Sequence, residues 1–540
     1  MPSLEDTSHT PVLIVGGGLV GLSAALFLRY HGVDCVLVER REHPSELPRS
    51  RGVHVRTVEL FRQIGIEEHV QHVARSALKA GAFGGARMGK TLMDSTDLPM
   101  DGVRRGIGAD PSPSSFCFCP QVLLEPVLAD LARERGADVH FGAELLELRQ
   151  DADHVTATVN GHTITADYLI AADGAGSPIR ETLGIAGWSL PSLHHYVNAY
   201  ARVDLAETVQ GRTFSQCEIV NDDVRALILA KNNTDEWSFH LEYDPRAETL
   251  RDYPPDRCAD LVRAAVGRSD LDVEILAAST WDDGVHVADE YRRGRVLLAG
   301  DAAHRHAPWG GFGANTGIAD AHNLAWKLAA VLAGHADSPL LDTYQTERRP
   351  RAVLAAEQAR ARTDFLARYG IATHQNRDDV ARHIDSGAIM TRYRYASSAV
   401  CPGADTQEQG WVNELTAQSG TRLPHMWLKS GDAEVSTLDL CGPGFAIVTT
   451  ATTDDWDRAA QSAAARTGLT VSVHRIGQAA NLVPVEGDWA EATESPADGA
   501  LLVRPDGHVA ARTDEGLRPD DLDRVLLTLV GRLPSPPDAG

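Results

Sequence analysis

Lysine is scarce. Of the 51 basic residues in this 540-residue chain only five are lysines: Lys79, Lys90, Lys231, Lys327 and Lys429. Positive charge is short altogether, because 75 acidic residues leave a formal net charge of −24. A surface of that sign repels phosphate backbones and anionic lipid, so neither nucleic acid nor a membrane is expected as a partner. Long apolar runs are missing too, and none approaches the roughly 18–20 residues of a bilayer-spanning helix. The opening MPSLEDTSHT has no cationic segment followed by an apolar one, so no secretion signal and a cytoplasmic location are expected. The seven cysteines are odd in number and scattered, which suits a reducing compartment rather than a disulfide framework. Cys117 and Cys119 in FCFCP have no second pair to complete a metal site, so no metal is expected.

What is present is glycine, concentrated in two places. Near the start, PVLIV (11–15) runs into VGGGLVG, then into LVGLSAALFLRYHG at helical spacing, then into CVLVER (35–40). Strand, glycine turn, helix, strand is a βαβ unit, and Gly16, Gly18 and Gly21 fit G-x-G-x-x-G within it. The first glycine allows the tight turn and the second lets a pyrophosphate approach. The third lets helix and strand pack, with the phosphates at the positive helix N-terminus beside Leu19 and Val20. Glu39 ends the second strand where a carboxylate accepts from a ribose hydroxyl.

The second cluster is GDAAHRHAPWGGFGANTG, 300–317. A dehydrogenase with one nucleotide fold has no use for it. A flavin dinucleotide does, because its isoalloxazine end lies far from its ADP end. RVLLAGD reads as a strand presenting Asp301 to a ribityl hydroxyl. Gly311, Gly313, Ala314 and Asn315 then offer backbone N–H groups at the start of a helix aimed at the flavin's pyrimidine edge. FAD is the expected cofactor.

Between these clusters the texture changes. From about 185 to 285 alternation replaces helical period, as in HYVNAYARVDL, RALILA and WSFHLEY, which reads as an inserted antiparallel sheet. In WSFHLEY, Trp237, Phe239, Leu241 and Tyr243 share one face and His240 lies on the other, while Tyr196, Asn198 and Tyr200 share a face of HYVNAY. Tyr200, Trp237, His240 and His306 are the candidate substrate residues; core packing is the competing reading for the three in the sheet, and a metal pair with His304 the competing reading for His306. Helical period returns over 316–334 and 338–368. Residues 370–410 read as a linker or wrapping segment, and the last 130 residues as a small α/β domain.

The order of these motifs resembles the class A FAD-dependent aromatic monooxygenases, in their phenol-hydroxylase-like and polyketide-hydroxylase-like branch. GGGLVG with Glu39-Arg40, PRSRGVHVRTVELF (48–61), CPQVLLEPVL (119–128), LIAADGAGSPIR (169–180) and GRVLLAGDAAH followed by GGFGANTG carry the resemblance. It implies FAD contacts from Arg40, Arg49, Gln121, Leu145, Asp173 and Gly174, with NADPH or NADH as a transient reductant. It places Arg49, Pro308 and Trp309 at the catalytic end. Oxygen would add at flavin C4a, and the resulting hydroperoxide would pass its distal oxygen to an aromatic ring, here a bulky polycyclic polyketide. Baeyer–Villiger insertion or oxidative tailoring of a related multi-ring compound is the alternative, and a non-catalytic aromatic-ligand binder the rival from another class. Trp309 and Phe312 depart from the family's usual residues in this loop, as does Ala314.

The expected architecture is α/β and α+β multidomain. A Rossmann-like FAD-binding domain (1–184, resuming with a helical segment at 286–395) carries the inserted sheet as substrate domain (185–285) and is followed by a thioredoxin-like domain (410–540). In Cys441-Gly-Pro-Gly444 a glycine stands where a second redox cysteine would be, so CGPG reads as a turn. The chain is expected to act as a monomer or homodimer.

Overall fold

The structure is a computed structural model, which describes residues 7–45, 52–77, 85–99, 110–401, 410–478 and 480–533. Its main sheet has the order Arg292–Arg293, Val296–Leu298, His162–Ala171, His9–Val15, Cys35–Glu39, Asp138–Phe141, with the hairpin partners Leu145–Gln150 and Val155–Val159 joined at His162–Ala171. The central strands pair in parallel. Val12, Leu13, Ile14, Leu37 and Val38 are fully or almost fully buried because helices cover the sheet. Five helices matter below: α1 (Leu19–Tyr30), α2 (Val55–Gln63), α3 (Gln121–Glu134), α4 (Phe312–Leu332) and α5 (Pro339–Arg360). α1 packs on both α3 and α4, and α4 packs on α5.

The inserted sheet exists, with different limits from those expected. Its seven strands run Glu274–Asp282, His195–Arg202, Glu236–Glu242, Arg225–Ala230, Gln216–Val220, Ala86–Gly89, Thr96–Asp97. One edge is therefore built from residues 86–97, a hundred residues ahead of the predicted start, and Gln216–Val220 pairs with Ala86–Gly89 in parallel. At the predicted boundaries, Gly187–Leu190 and Val285–Ala288 leave this sheet and form a three-stranded one with His304–Arg305. Val197, Ala199, Trp237, Phe239 and Leu241 turn to a core shared with the Pro255–Val266 helix. The opposite face turns to the second glycine cluster.

Of the two readings of 370–410, linker or wrapping segment, the described residues follow the second and pack as a brace. It contains the short helix Ser386–Thr391, and its strand Tyr393–Arg394 pairs with Gly410–Trp411; Tyr393 and Tyr395 are buried. The C-terminal region holds a four-stranded sheet, ordered Val471–Arg475, Phe445–Thr449, Ala500–Val503, Val509–Arg512, against the helices Asp455–Thr467 and Leu522–Leu529. Its core takes in Trp326 of α4 and Leu340 of α5, so it is continuous with the main body. A side chain at Gly444 would put Cβ 2.6 Å from the Thr470 carbonyl oxygen, so the CGPG position cannot hold a second cysteine without backbone movement.

Candidate active site

The first glycine loop is held by contacts that only glycine permits. Gly16 has φ +111°, and a Cβ there would lie 2.1 Å from the Ala172 carbonyl oxygen. A Cβ at Gly21 would lie 1.9 Å from the Gly16 carbonyl oxygen. α1 therefore starts hard against the ends of two parallel strands. Its N-cap, Gly18, offers no side chain to the free N–H groups of the first turn. Glu39 accepts from the Gly17 N–H at 2.6 Å and from the Arg41 backbone and side chain. Burial opposes its charge, but these donors outweigh it and hold the carboxyl below its ordinary value. The residue that binds Glu39 is thus Arg41, while Arg40 is exposed.

Two distant segments converge on this loop. Gln121, at the start of α3, donates to the buried Glu125 at 2.6 Å, and Glu125 lies 3.6 Å from where a Gly18 Cβ would be. Asp173 follows the strand that touches Gly16. Its carboxylate accepts from the Ser177 hydroxyl and the Ile179 N–H, and burial raises its pKa. Gly174 takes φ +89° in open space. Arg180 donates to the Ala302 and Ala175 carbonyls, tying this turn to the second cluster. Leu145 opens its strand opposite Val159 and packs at the edge of the main core. Arg49 lies outside the described residues.

The two glycine clusters meet at Val20. Its Cγ2 would be 2.7 Å from a Cβ at Gly300 and 2.6 Å from one at Gly317, so both must be glycine for α4 to approach α1. Asp301 is exposed beside the start of α4, where its Oδ1 would lie 3.9 Å from a Gly313 Cβ. Gly311 (φ +68°) caps α4 with no side-chain hydrogen bond. Asn315, 1% exposed, accepts from the His54 N–H and the Thr57 hydroxyl, both at 2.8 Å, and donates to the Gly311 carbonyl at 2.8 Å. Ala314 beside it is half-buried. Behind the loop, Asp320 accepts from the Gly300 N–H, from His304 at 2.5 Å and from Arg348 at 2.7 Å. Two uncapped helix starts, an acidic residue at each and open glycine positions between them fit the two ends of an extended dinucleotide.

Facing this cradle is an aromatic wall. Trp309 is 6% exposed and carries the Arg368 guanidinium 3.4 Å over its face. Its ring meets Trp281 edge-on at 5.7 Å, and Trp281 stacks on Tyr196 at 4.5 Å. The Trp281 indole N–H donates to His240 Nδ1 at 2.9 Å, which leaves Nε2 to carry the proton of the neutral ring. Pro308 is exposed at the tip of the loop. Arg368 is half-buried, with Gln216 and Glu218 of the sheet beside it; desolvation lowers its pKa and raises that of Glu218.

Two substrate candidates move. Trp237 is fully buried on the far face, stacked on Phe214 at 5.6 Å, because strand alternation sends it to the sheet's own core. His306 stacks on His304 at 4.8 Å, among Asp320 and Arg348 rather than the aromatic wall. Tyr200 shares the site-facing side, with its hydroxyl donating to Glu236 at 2.7 Å. Trp281, Arg368 and Arg41 were missed, while Asn198 lies on the face that alternation had already set with Tyr196 and Tyr200. Alternation in EILAASTWD could have flagged Trp281; nothing local marks Arg368.

Fold and site together define a flavin-dependent oxygenase acting on an aromatic ring. A family model for the FAD binding domain matches residues 9–359, and one for the C-terminal region of aromatic-ring hydroxylases matches 416–532. The chain belongs to the FAD-dependent aromatic-ring monooxygenases. It is 38% identical to the tetracenomycin A2 monooxygenase-dioxygenase of Streptomyces glaucescens, over 98% of this chain and 97% of that one. It is 34% identical to an aklavinone 12-hydroxylase of Streptomyces purpurascens, over 93% and 95%. Among solved structures, aklavinone-11 hydroxylase in a ternary complex with FAD and aklavinone superposes with a TM-score of 0.86 at 32% identity, covering 98% of this chain and all of that one. The protein uses FAD and NAD(P)H. No helix among the described residues is long and apolar enough to cross a membrane.

Proposed function

We propose that the protein hydroxylates a polycyclic aromatic polyketide with O2 and NAD(P)H. The observation that carries this is the wall of Tyr196 and Trp281 on the inserted sheet, extended by Trp309 of the second glycine cluster. Three stacked or edge-on rings form an extended apolar surface, more than a single phenol ring covers. The relatives named for tetracenomycin and aklavinone support the same substrate class.

Bound FAD supplies the oxygen-transfer chemistry. The chain's own residues hold it and shape the space beside it. Gly18 admits the pyrophosphate to the N-terminus of α1, Gly16 and Gly21 hold that turn against the strands, and Glu39 accepts from a ribose hydroxyl. Asp301 accepts from the ribityl chain, while the N–H groups at Gly313 to Asn315 stabilise negative charge on the ring system. Pro308 and Trp309 close the ring's substrate side. The inserted sheet, with its edge from 86–97, is the substrate domain, and its wall excludes water from the reacting centre. The C-terminal region is a thioredoxin-like brace without dithiol chemistry.

The test is the visible spectrum of the purified protein, then NAD(P)H oxidation with a panel of phenols of one to four rings. A yellow protein whose oxidation rate rises with three- and four-ring phenols, yielding product with one added hydroxyl, is expected. Equal stimulation by single-ring phenols would refute the size argument. A lactone product would point to Baeyer–Villiger insertion instead.

A further inference from the structure

Buried polar atoms without partners cluster on the site-facing wall. Asn198 Oδ1, in a residue 6% exposed, has no hydrogen-bond partner. Ser238 Oγ, in a residue 1% exposed, has none either. Asn198 pairs across strands with His240, and Ser238 with Tyr200, which puts both on the face that carries Tyr196. At the other end of the wall the Trp309 indole N–H is a third buried group without a partner. Leaving a buried donor or acceptor unpaired costs roughly 1–3 kcal/mol, and three on one surface mark where a ligand supplies the missing partners.

The chemistry of the three groups is directional. A carboxamide oxygen accepts, so it calls for a hydroxyl on the ligand. An indole N–H only donates, so it calls for a carbonyl or other acceptor. Tyr196 and Trp281 stand between the two groups: Asn198 is two residues, about 7 Å, along the strand from Tyr196, and Trp309 lies beyond Trp281. A ligand that satisfies both carries its hydroxyl and its carbonyl on different rings of a fused system. The Trp309 ring itself is fixed by Arg368 on its face and Trp281 at its edge, so its N–H direction is set before the ligand arrives.

Resting on the polycyclic reading above, we infer that Trp309 is a specificity-determining residue whose indole N–H selects a quinone-type carbonyl, while Asn198 with Ser238 binds a phenolic hydroxyl at the far end. The preferred substrates are hydroxylated quinoid or keto polycycles rather than plain polycyclic phenols.

The experiment uses the FAD-loaded full chain under anaerobic conditions, titrated with a hydroxyanthraquinone and with the matching anthrol, which lacks the carbonyls, while following the flavin spectrum. Wild type binds the hydroxyanthraquinone at least tenfold more tightly. Trp309→Phe keeps an aromatic face and removes the N–H together with the rest of the five-membered ring. It weakens the hydroxyanthraquinone about tenfold and leaves the anthrol, which has no carbonyl for that N–H, unchanged; tenfold corresponds to about 1.4 kcal/mol. Asn198→Ala weakens both probes alike. A packing defect in Trp309→Phe would lower affinity for both probes, and that result, or no change for either, overturns the assignment. If neither probe binds wild type, the polycyclic reading fails together with this inference. If both bind without preference, only the inference fails.

Discussion

Asn315 ties the flavin loop to the segment that follows Arg49, and Asn315→Ala isolates that tie. The carboxamide joins three backbone and side-chain groups: the His54 N–H, the Thr57 hydroxyl and the Gly311 carbonyl, each at 2.8 Å. All three lose their partner in a site that is 1% exposed. At roughly 1 kcal/mol or more for each stranded group, the cradle is destabilised by about 3 kcal/mol. Gly311 caps α4 at φ +68° and the loop has no other side-chain cap, so the loss falls on the conformation that receives FAD. FAD affinity is therefore expected to fall about a hundredfold. The assay is quenching of FAD fluorescence on titration into apoprotein, with far-UV circular dichroism to show that the chain stays folded. Asn315→Asp keeps the acceptor for His54 and Thr57 but turns an oxygen on the Gly311 carbonyl, and it should fall between the two. If Asn315→Ala is folded and binds FAD within threefold of wild type, the reasoning is wrong.

Two further outcomes follow from buried charge and from the cysteine turn. Glu347, on α5, is fully buried and binds Arg504 at 2.6 and 2.9 Å and Lys327 at 2.8 Å. Burial opposes its ionisation, but these cations outweigh it and hold its pKa below the ordinary 4.5. The unfolded chain therefore takes up the proton first, so this stabilisation is present above about pH 4.5 and is lost as pH falls below it. Denaturant midpoints measured from pH 7 to pH 3.5 should drop steeply in wild type. They should drop less steeply in Glu347→Gln, which will already be weaker at pH 7 by roughly 3–5 kcal/mol. Cys441→Ser should leave NAD(P)H oxidation unchanged with or without dithiothreitol. Its thiol is 5% exposed, burial pushes its pKa up to about 12, and Gly444 leaves it no partner; a redox-dependent rate would contradict this.

The parts of the site that were legible in the chain were those whose geometry is local. Gly16, Gly18 and Gly21 follow one strand and open one helix, and Glu39 ends the next strand, so spacing alone sets their relation. GGFGAN likewise opens its own helix. Alternation in HYVNAYARVDL and WSFHLEY separated the two faces of the inserted sheet, and it set Trp237 opposite His240 before any fold was known. Even so, alternation does not say which face meets the core, and it left both Trp237 and His240 open to either the core or the substrate space.

Tertiary structure alone decided the rest. That Ala86–Gly89 would complete a sheet begun a hundred residues later depends on strand order, and no local signal encodes which edge a strand will pair with. Arg368 reaches Trp309 because a short helix after α5 ends over the sheet. Asn323 and Lys327 of α4 meet Glu347 and Asp506 because the C-terminal sheet packs on α4 and α5. Sequence by itself determined the two glycine cradles and hence the cofactor, since backbone conformations and helix starts are written within a few residues. Which side chains face each other across the substrate space was left to packing, because that follows from how separate sheets and helices close over one another.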